Sequence, residues 1–209
     1  MSEIKENSIQ IFLDQLASRS ATPGGGSVAA LMGAQSAALI SMVCNLTIGK
    51  PKYAEVEAEM QALLLKTEAL REKLTKLIKS DIDVFNFLME AYGLPKQTDD
   101  EKKVRSEAIQ TVLKSATEVP LDCARLCAEL IVLSRCAAEK GYVGVVSDAG
   151  AAVMAAYSGL KSSALNVYIN TSSLNDQAIA KAKLAELDAI MKGADLAVEE
   201  IYQMVKVRL

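Results

Sequence analysis

The chain of 209 residues has no histidine and no tryptophan. Without histidine, every triad built on imidazole is excluded. Any general acid or base must be Asp, Glu, Lys, Tyr, Cys or the α-amino group. Aromatics are scarce, at three Phe and six Tyr, while Ala, Leu and Met are plentiful, a composition that leans helical. The four cysteines, Cys44, Cys123, Cys127 and Cys136, form no C-x-x-C pair. With no histidine to help, they do not read as a metal site but as reduced thiols in the helix cores of a cytoplasmic protein. Net charge is −3 and no basic arm stands out, so nucleic acid is not an expected partner. No basic-then-apolar leader opens the sequence, so secretion is not expected. The longest apolar run, 28–44, is broken by Gln35, Ser36 and Ser41 and is slightly short for a span. It reads as a buried central helix rather than a membrane anchor. What is abundant is apolar surface, at 51% of residues, enough for a sizeable core in a single domain covering 1–209.

Periodicity predicts seven helices and no strand. They cover about 3–19, 28–47, 51–92, 99–118, 120–140, 147–169 and 176–207. In the third, Val56, Met60, Leu63, Thr67, Leu70, Leu74, Leu77, Asp81, Val84 and Leu88 recur at alternating steps of four and three, a coiled-coil-like seam. Thr98 and Glu101 have the spacing of a capping box. Pro120 reads as the start of a helix and Gly141 as the end of one. The 51–92 and 176–207 helices are too long for a monomeric globule of this size. The fold class expected is therefore an all-α bundle with two long helices that dimerises through helix packing.

Residues 22–27 read Thr-Pro-Gly-Gly-Gly-Ser, followed at once by small apolar residues. Three glycines let another group approach the backbone, and Ser27 can cap a helix start that faces an anionic or carbonyl-rich ligand. Gly24-x-Gly26-x-x-Ala29 formally matches a dinucleotide fingerprint, but a helical rather than a β segment precedes it. Asp81 occupies a seam position that demands an apolar side chain. A carboxylate there has a raised pKa and marks a functional position ahead of a purely structural one. Asp148, after Ser147, is either a helix cap or an acceptor for paired N–H donors of a heterocycle. Asn166 and Asn170 share a helical face, where they bind ligand amides or end the helix. Lys50, Lys52 and Lys96 sit near helix ends, as solvated surface or as receptors for a carboxylate.

Taken together, these segments resemble the cyclodeaminase/cyclohydrolase family of folate enzymes. The resemblance is carried by Thr22–Val28, Asn45–Lys50, Asp81 with Phe85 and Leu94-Pro95-Lys96, Ser147-Asp148, and Asn166–Asn170, in the family's order across almost the whole chain. It implies an all-helical homodimer with a folate cleft. It also implies ring closure of 5-formiminotetrahydrofolate to 5,10-methenyltetrahydrofolate with release of ammonia. The alternative is hydrolysis of the methenyl compound to 10-formyltetrahydrofolate; a non-catalytic oligomerisation protein is the more distant one. The 209 residues hold no formiminotransferase domain, so ammonia release would need formiminofolate from a separate protein. Val84 stands where the family pattern has a smaller residue. The roles implied are Asp81 and Asp148 as catalytic groups. Pro23, Gly24, Gly25, Gly26 and Ser27 would hold the substrate, Asn166 and Asn170 the pterin, and Lys50 and Lys96 the glutamate tail. That tail could be single or polyglutamylated. Neither metal nor cofactor is expected beyond the tetrahydrofolate substrate.

Overall fold

The computed structural model describes residues 4–209. Among them are seven α-helices, six of them long, and no strand. They are α1 (Ile9–Leu16), α2 (Gly25–Thr47), α3 (Glu57–Gly93), α4 (Asp99–Lys140), α5 (Val146–Ser172), α6 (Gln177–Met191) and α7 (Ala194–Arg208). A 3-10 turn at Ile4–Glu6 precedes α1, and 3-10 segments at Pro51–Val56 and Val143–Val145 lie between α2 and α3 and between α4 and α5.

α2 is the central helix. Its small residues Ala29, Ala30, Gly33, Ala34 and Ala37 are buried, which lets α3, α4 and α5 approach closely. A Cβ on Gly33 would stand 2.8 Å from Leu74 Cδ2 and 2.9 Å from Cys127 Sγ. One on Gly159 would stand 2.8 Å from the same sulfur. Three helices therefore close on Cys127 with no spare volume. By length and composition α2 and the 143–172 stretch could each cross a bilayer, yet here both contribute their small residues to the bundle core. All four cysteines are free, three buried and Cys136 half-buried.

The predicted seam of α3 is the buried face. Met60, Leu63, Thr67, Leu70 and Leu74 are covered. Past Leu74 burial passes to Ile78, because a 3.6-residue helix drifts about 20° per heptad from a 3.5-residue pattern. α3 runs antiparallel to α2 and overshoots its start. The overhang packs on the first half of α4 through a second apolar cluster, in which Leu88 and Ala91 meet Ile109, Leu113 and Leu174.

Five boundaries differ from the sequence expectation: the helix expected over 51–92 starts only at Glu57, after the 3-10 segment Pro51–Val56, and four others change as follows. The N-terminal helix is only Ile9–Leu16, capped by Ser8, whose Oγ accepts the Ile11 N–H at 3.2 Å; residue 3 lies outside the described residues. α2 starts at Gly25, so the glycines belong to its first turn. The predicted 99–118 and 120–140 helices are one helix of 42 residues, with Pro120 inside it. The predicted 176–207 helix is two, because Gly193 takes φ +77° between them. The two longest helices are thus α3 and α4. The capping box is present, with Thr98 N–H on Glu101 Oε2 at 3.0 Å and Glu101 N–H on Thr98 Oγ1 at 3.2 Å.

Pro120 survives inside α4 because its missing N–H is replaced. Proline at 120 leaves the Ala116 carbonyl without its i+4 donor. Asn170 Nδ2, from α5, donates to that carbonyl at 2.6 Å.

Candidate functional site

The start of α2 meets the middle of α3 at Asp81. Gly24 is the N-cap with no side-chain bond, and the first-turn N–H groups have no partner within the helix. Asp81 supplies one from another helix. Its Oδ2 accepts the Ser27 hydroxyl at 2.7 Å, and the Ser27 backbone N–H also bonds the carboxylate. Ser27 is fully buried, so it reaches the site through Asp81 rather than facing solvent as a cap.

Gly26 makes this approach possible. A Cβ there would lie 2.1 Å from Asp81 Oδ1 and 2.6 Å from Cγ. Any side chain at 26 would expel the carboxylate, which is the physical reason for glycine at this position. Burial raises the Asp81 carboxyl above its ordinary value, with the Ser27 hydroxyl and N–H pulling the other way. Such a group can exchange a proton in a range where a solvated aspartate stays ionised.

Asn166 borders the same spot. Its Nδ2 donates to Ser162 O at 2.9 Å and would lie 3.8 Å from a Cβ on Gly25. Gly25 itself is exposed, so the cluster opens to solvent between Gly25 and Asn166. Pro23 is buried and follows a cis peptide bond. With Thr22 and Ile82 it helps line a cavity of about 310 Å³. The described residues hold no group of three or more Cys, Asp or Glu placed to bind a metal.

Gly24, Gly25, Gly26, Ser27, Asp81 and Asn166 thus gather at one place, with Pro23 beside them. Asn170 lies one turn beyond Asn166, about 6 Å along α5, and gives one amide N–H to the Ala116 carbonyl. The remaining candidates, Lys96, Asp148 and Lys50, do not join them within one chain. Lys96 is exposed beyond the end of α3, which lies about 18 Å along the helix from Asp81. Asp148 is in the first turn of α5, about 27 Å from Asn166 along that helix. Lys50 follows the far end of α2, about 34 Å from Gly25. Lys50 has company there that the sequence did not announce. Its Nζ sits 4.2 Å from the centroid of the Tyr142 ring, and Tyr53 meets that ring edge-on. About ninety residues separate Lys50 from Tyr142, and no spacing pattern links them.

A family model described as Formiminotransferase-cyclodeaminase matches residues 8–189. The chain is 54% identical to a methenyltetrahydrofolate cyclohydrolase of Methylorubrum extorquens over 198 residues, 95% of each protein. It is 32% identical over 189 residues to the formimidoyltransferase-cyclodeaminase of Mus musculus, covering 90% of this chain but 35% of that larger protein. The crystal structure of a formiminotetrahydrofolate cyclodeaminase from Thermotoga maritima superposes with a TM-score of 0.83 at 33% identity, covering 99% of this chain and 98% of that one. Matched over most of its length by the family model, and along nearly all of it by a relative of the same size, this chain belongs to the formiminotransferase-cyclodeaminase family of folate enzymes.

Proposed function

We propose that the protein hydrolyses 5,10-methenyltetrahydrofolate to 10-formyltetrahydrofolate, with Asp81 as the proton-transfer group. The supporting observation is a half-buried carboxylate pinned on Ser27, in a chain 54% identical to a cyclohydrolase along 95% of both proteins. Cyclodeaminase relatives stand at about a third identity, which favours hydrolysis over the ammonia-releasing reaction first expected. Ammonia release is the second reading, on the likeness to the Thermotoga cyclodeaminase.

In the hydrolysis, a water oxygen bonds the methenyl carbon while Asp81 takes a proton from that water. The tetrahedral carbon then breaks its bond to N5. The electron pair goes to N5, which takes up a proton, and the formyl group stays on N10. Of the two protons of the water, one ends on N5 and one is released. Asp81 serves both steps because its raised pKa allows it to accept and return a proton. Asn166, whose carbonyl oxygen is the free end of its amide, orients the pterin beside Gly25.

A homodimer completes the site in this reading. Ala38, halfway between Gly26 and Lys50 on α2, lies in an open groove of about 850 Å³ with Met42, Leu46 and Leu65 exposed along it. A two-fold axis through that groove, with two α2 helices antiparallel, sets Lys50 and Asp148 of one copy near Asp81 of the other. A cytoplasmic enzyme is in keeping with the four free cysteines.

The methenyl bridge absorbs in the near ultraviolet. Protein mixed with methenyltetrahydrofolate should bleach that band, and protein mixed with formiminotetrahydrofolate should not generate it. Growth of the band in the second mixture would replace hydrolysis with ammonia release, and no change in either would refute both.

A further inference from the structure

The far end of α2 carries a side-chain assembly that the chemistry at Asp81 does not use. The Lys50 ammonium stands over the Tyr142 ring, 4.2 Å from its centroid. Tyr142 is fixed from three sides. Tyr53 packs against it edge-on, with centroids 5.9 Å apart and planes at 83°. The Tyr142 backbone N–H donates to Thr47 Oγ1 at 2.8 Å. The Tyr53 hydroxyl in turn accepts the Val143 N–H at 3.0 Å. Gly144 closes on the ring itself, since a Cβ there would fall 2.6 Å from Tyr142 Cζ and 2.7 Å from its hydroxyl oxygen. The loop after α4 is thereby pressed onto the tyrosine that carries the lysine.

This arrangement contrasts with other lysines of the chain. Lys66, Lys76, Lys79, Lys140 and Lys183 each meet a carboxylate of a neighbouring residue or helix. Lys50 is half-buried and meets an aromatic face in place of an acid. A ring quadrupole orients an ammonium without neutralising it. The result is a full positive charge on a shortened tether, with its conformational freedom already spent, which is what a receptor for an anion requires.

We propose that Tyr142 is a positioning residue that holds Lys50 as the receptor for a carboxylate of the substrate's glutamate portion. This rests on the folate reading and on the second copy that brings Lys50 toward Asp81. Tyr53 and Gly144 set the ring, the ring sets the ammonium, and the ammonium meets the carboxylate. A folate has a carboxylate at that end and none on its pterin, so the assembly reads the tail and leaves the reacting carbon to Asp81.

The test compares two substrates on the same variants. One is 5,10-methenyltetrahydrofolate; the other is the corresponding pteroate as its uncharged methyl ester, identical in its rings but with neither glutamate nor a free carboxylate, used as substrate or as competitive inhibitor. Lys50→Met and Tyr142→Leu should each raise KM for the folate about tenfold, as expected for one charge-assisted contact of about 1.4 kcal/mol, with kcat little changed. Neither should alter KM or inhibition for the pteroate by more than about twofold, since twofold is a small fraction of that contact. Tyr142→Phe keeps the ring and should match the wild type on both. Equal losses on the two substrates would make Tyr142 a purely structural residue and overturn the inference. An unchanged folate KM in Lys50→Met would overturn it as well, even if Tyr142→Leu fails to fold. Failure of the wild type to act on any folate would instead defeat the functional reading itself.

Discussion

Substituting Gly26 by alanine isolates the contact on which the proposed chemistry depends. The new Cβ would sit 2.1 Å from Asp81 Oδ1, so the carboxylate must retreat by roughly 1.4 Å to reach ordinary contact near 3.5 Å. That retreat breaks the 2.7 Å bond to Ser27 Oγ and the bond to the Ser27 N–H. Hydrogen bonds to a charged group contribute about 1.5–3 kcal/mol. Alanine's better helix propensity offsets up to about 1 kcal/mol of the loss. With two such bonds lost, the net expectation is a destabilisation of about 2–5 kcal/mol, seen in a thermal melt as a fall of roughly 4–20 °C for a chain of this size. The rate should suffer as well, since a misplacement of about 1 Å at a reacting group costs roughly a hundredfold. Gly25→Ala is the stability control. Its Cβ would meet Asn166 Nδ2 at 3.8 Å, an ordinary contact, and stability should hold or rise. Initial rates of methenyl bleaching, read beside the two melts, decide the matter. A Gly26→Ala enzyme with kcat within about threefold of wild type would refute the claim that the seat of Asp81 governs turnover.

Asp81→Asn should abolish turnover and leave folate binding largely intact, as measured by single-turnover absorbance and equilibrium titration. The same variant tests the pKa. A folded-state value raised by burial contributes stability below the ordinary value of 3.8 that is lost as pH rises through the folded value. Urea unfolding should therefore show wild type losing stability relative to Asp81→Asn from the acid range toward neutrality; a constant gap would contradict the raised pKa. Asn170→Ala should cost about 1–3 kcal/mol by orphaning the Ala116 carbonyl. Pro120→Ala should erase most of that cost by restoring the helix donor, and an additive double-mutant cycle would refute the coupling. Mixing Asp81→Asn chains with Lys50→Met chains at limiting folate should restore about a quarter of wild-type activity if each site draws on two copies, because half the dimers are mixed and each holds one intact site. No recovery would place the site within one chain.

The architecture was legible where one periodic signal dominated. The α3 seam could be read residue by residue because its apolar steps repeat for about nine turns, and Asp81 was conspicuous because it breaks that pattern. Boundaries failed where a breaker residue had tertiary help or acted alone. Pro120 looks like a helix start, but a donor from another helix, Asn170, makes it an interior residue. Gly193 alone ends α6, through a positive φ that no neighbouring residue announces. The glycine turn reads as a place of close approach, and at Gly26 the group that approaches is Asp81. Lys50 and Asp148 lie far from Asp81 because helix length turns a short list of motifs into distances of about 30 Å. Tyr142 went unseen because its link to Lys50 exists only in three dimensions.

The seat of Asp81 also settles the sign of the local charge. A helix start with free N–H groups ordinarily draws anions. Here the chain has spent that attraction on its own carboxylate, so the mouth between Gly25 and Asn166 offers an incoming molecule a shielded negative charge. In the proposed hydrolysis the one-carbon bridge enters as a cation and leaves as a neutral formamide. Attraction would then weaken as the reaction completes, and the fixed carboxylate would favour uptake of substrate over retention of product.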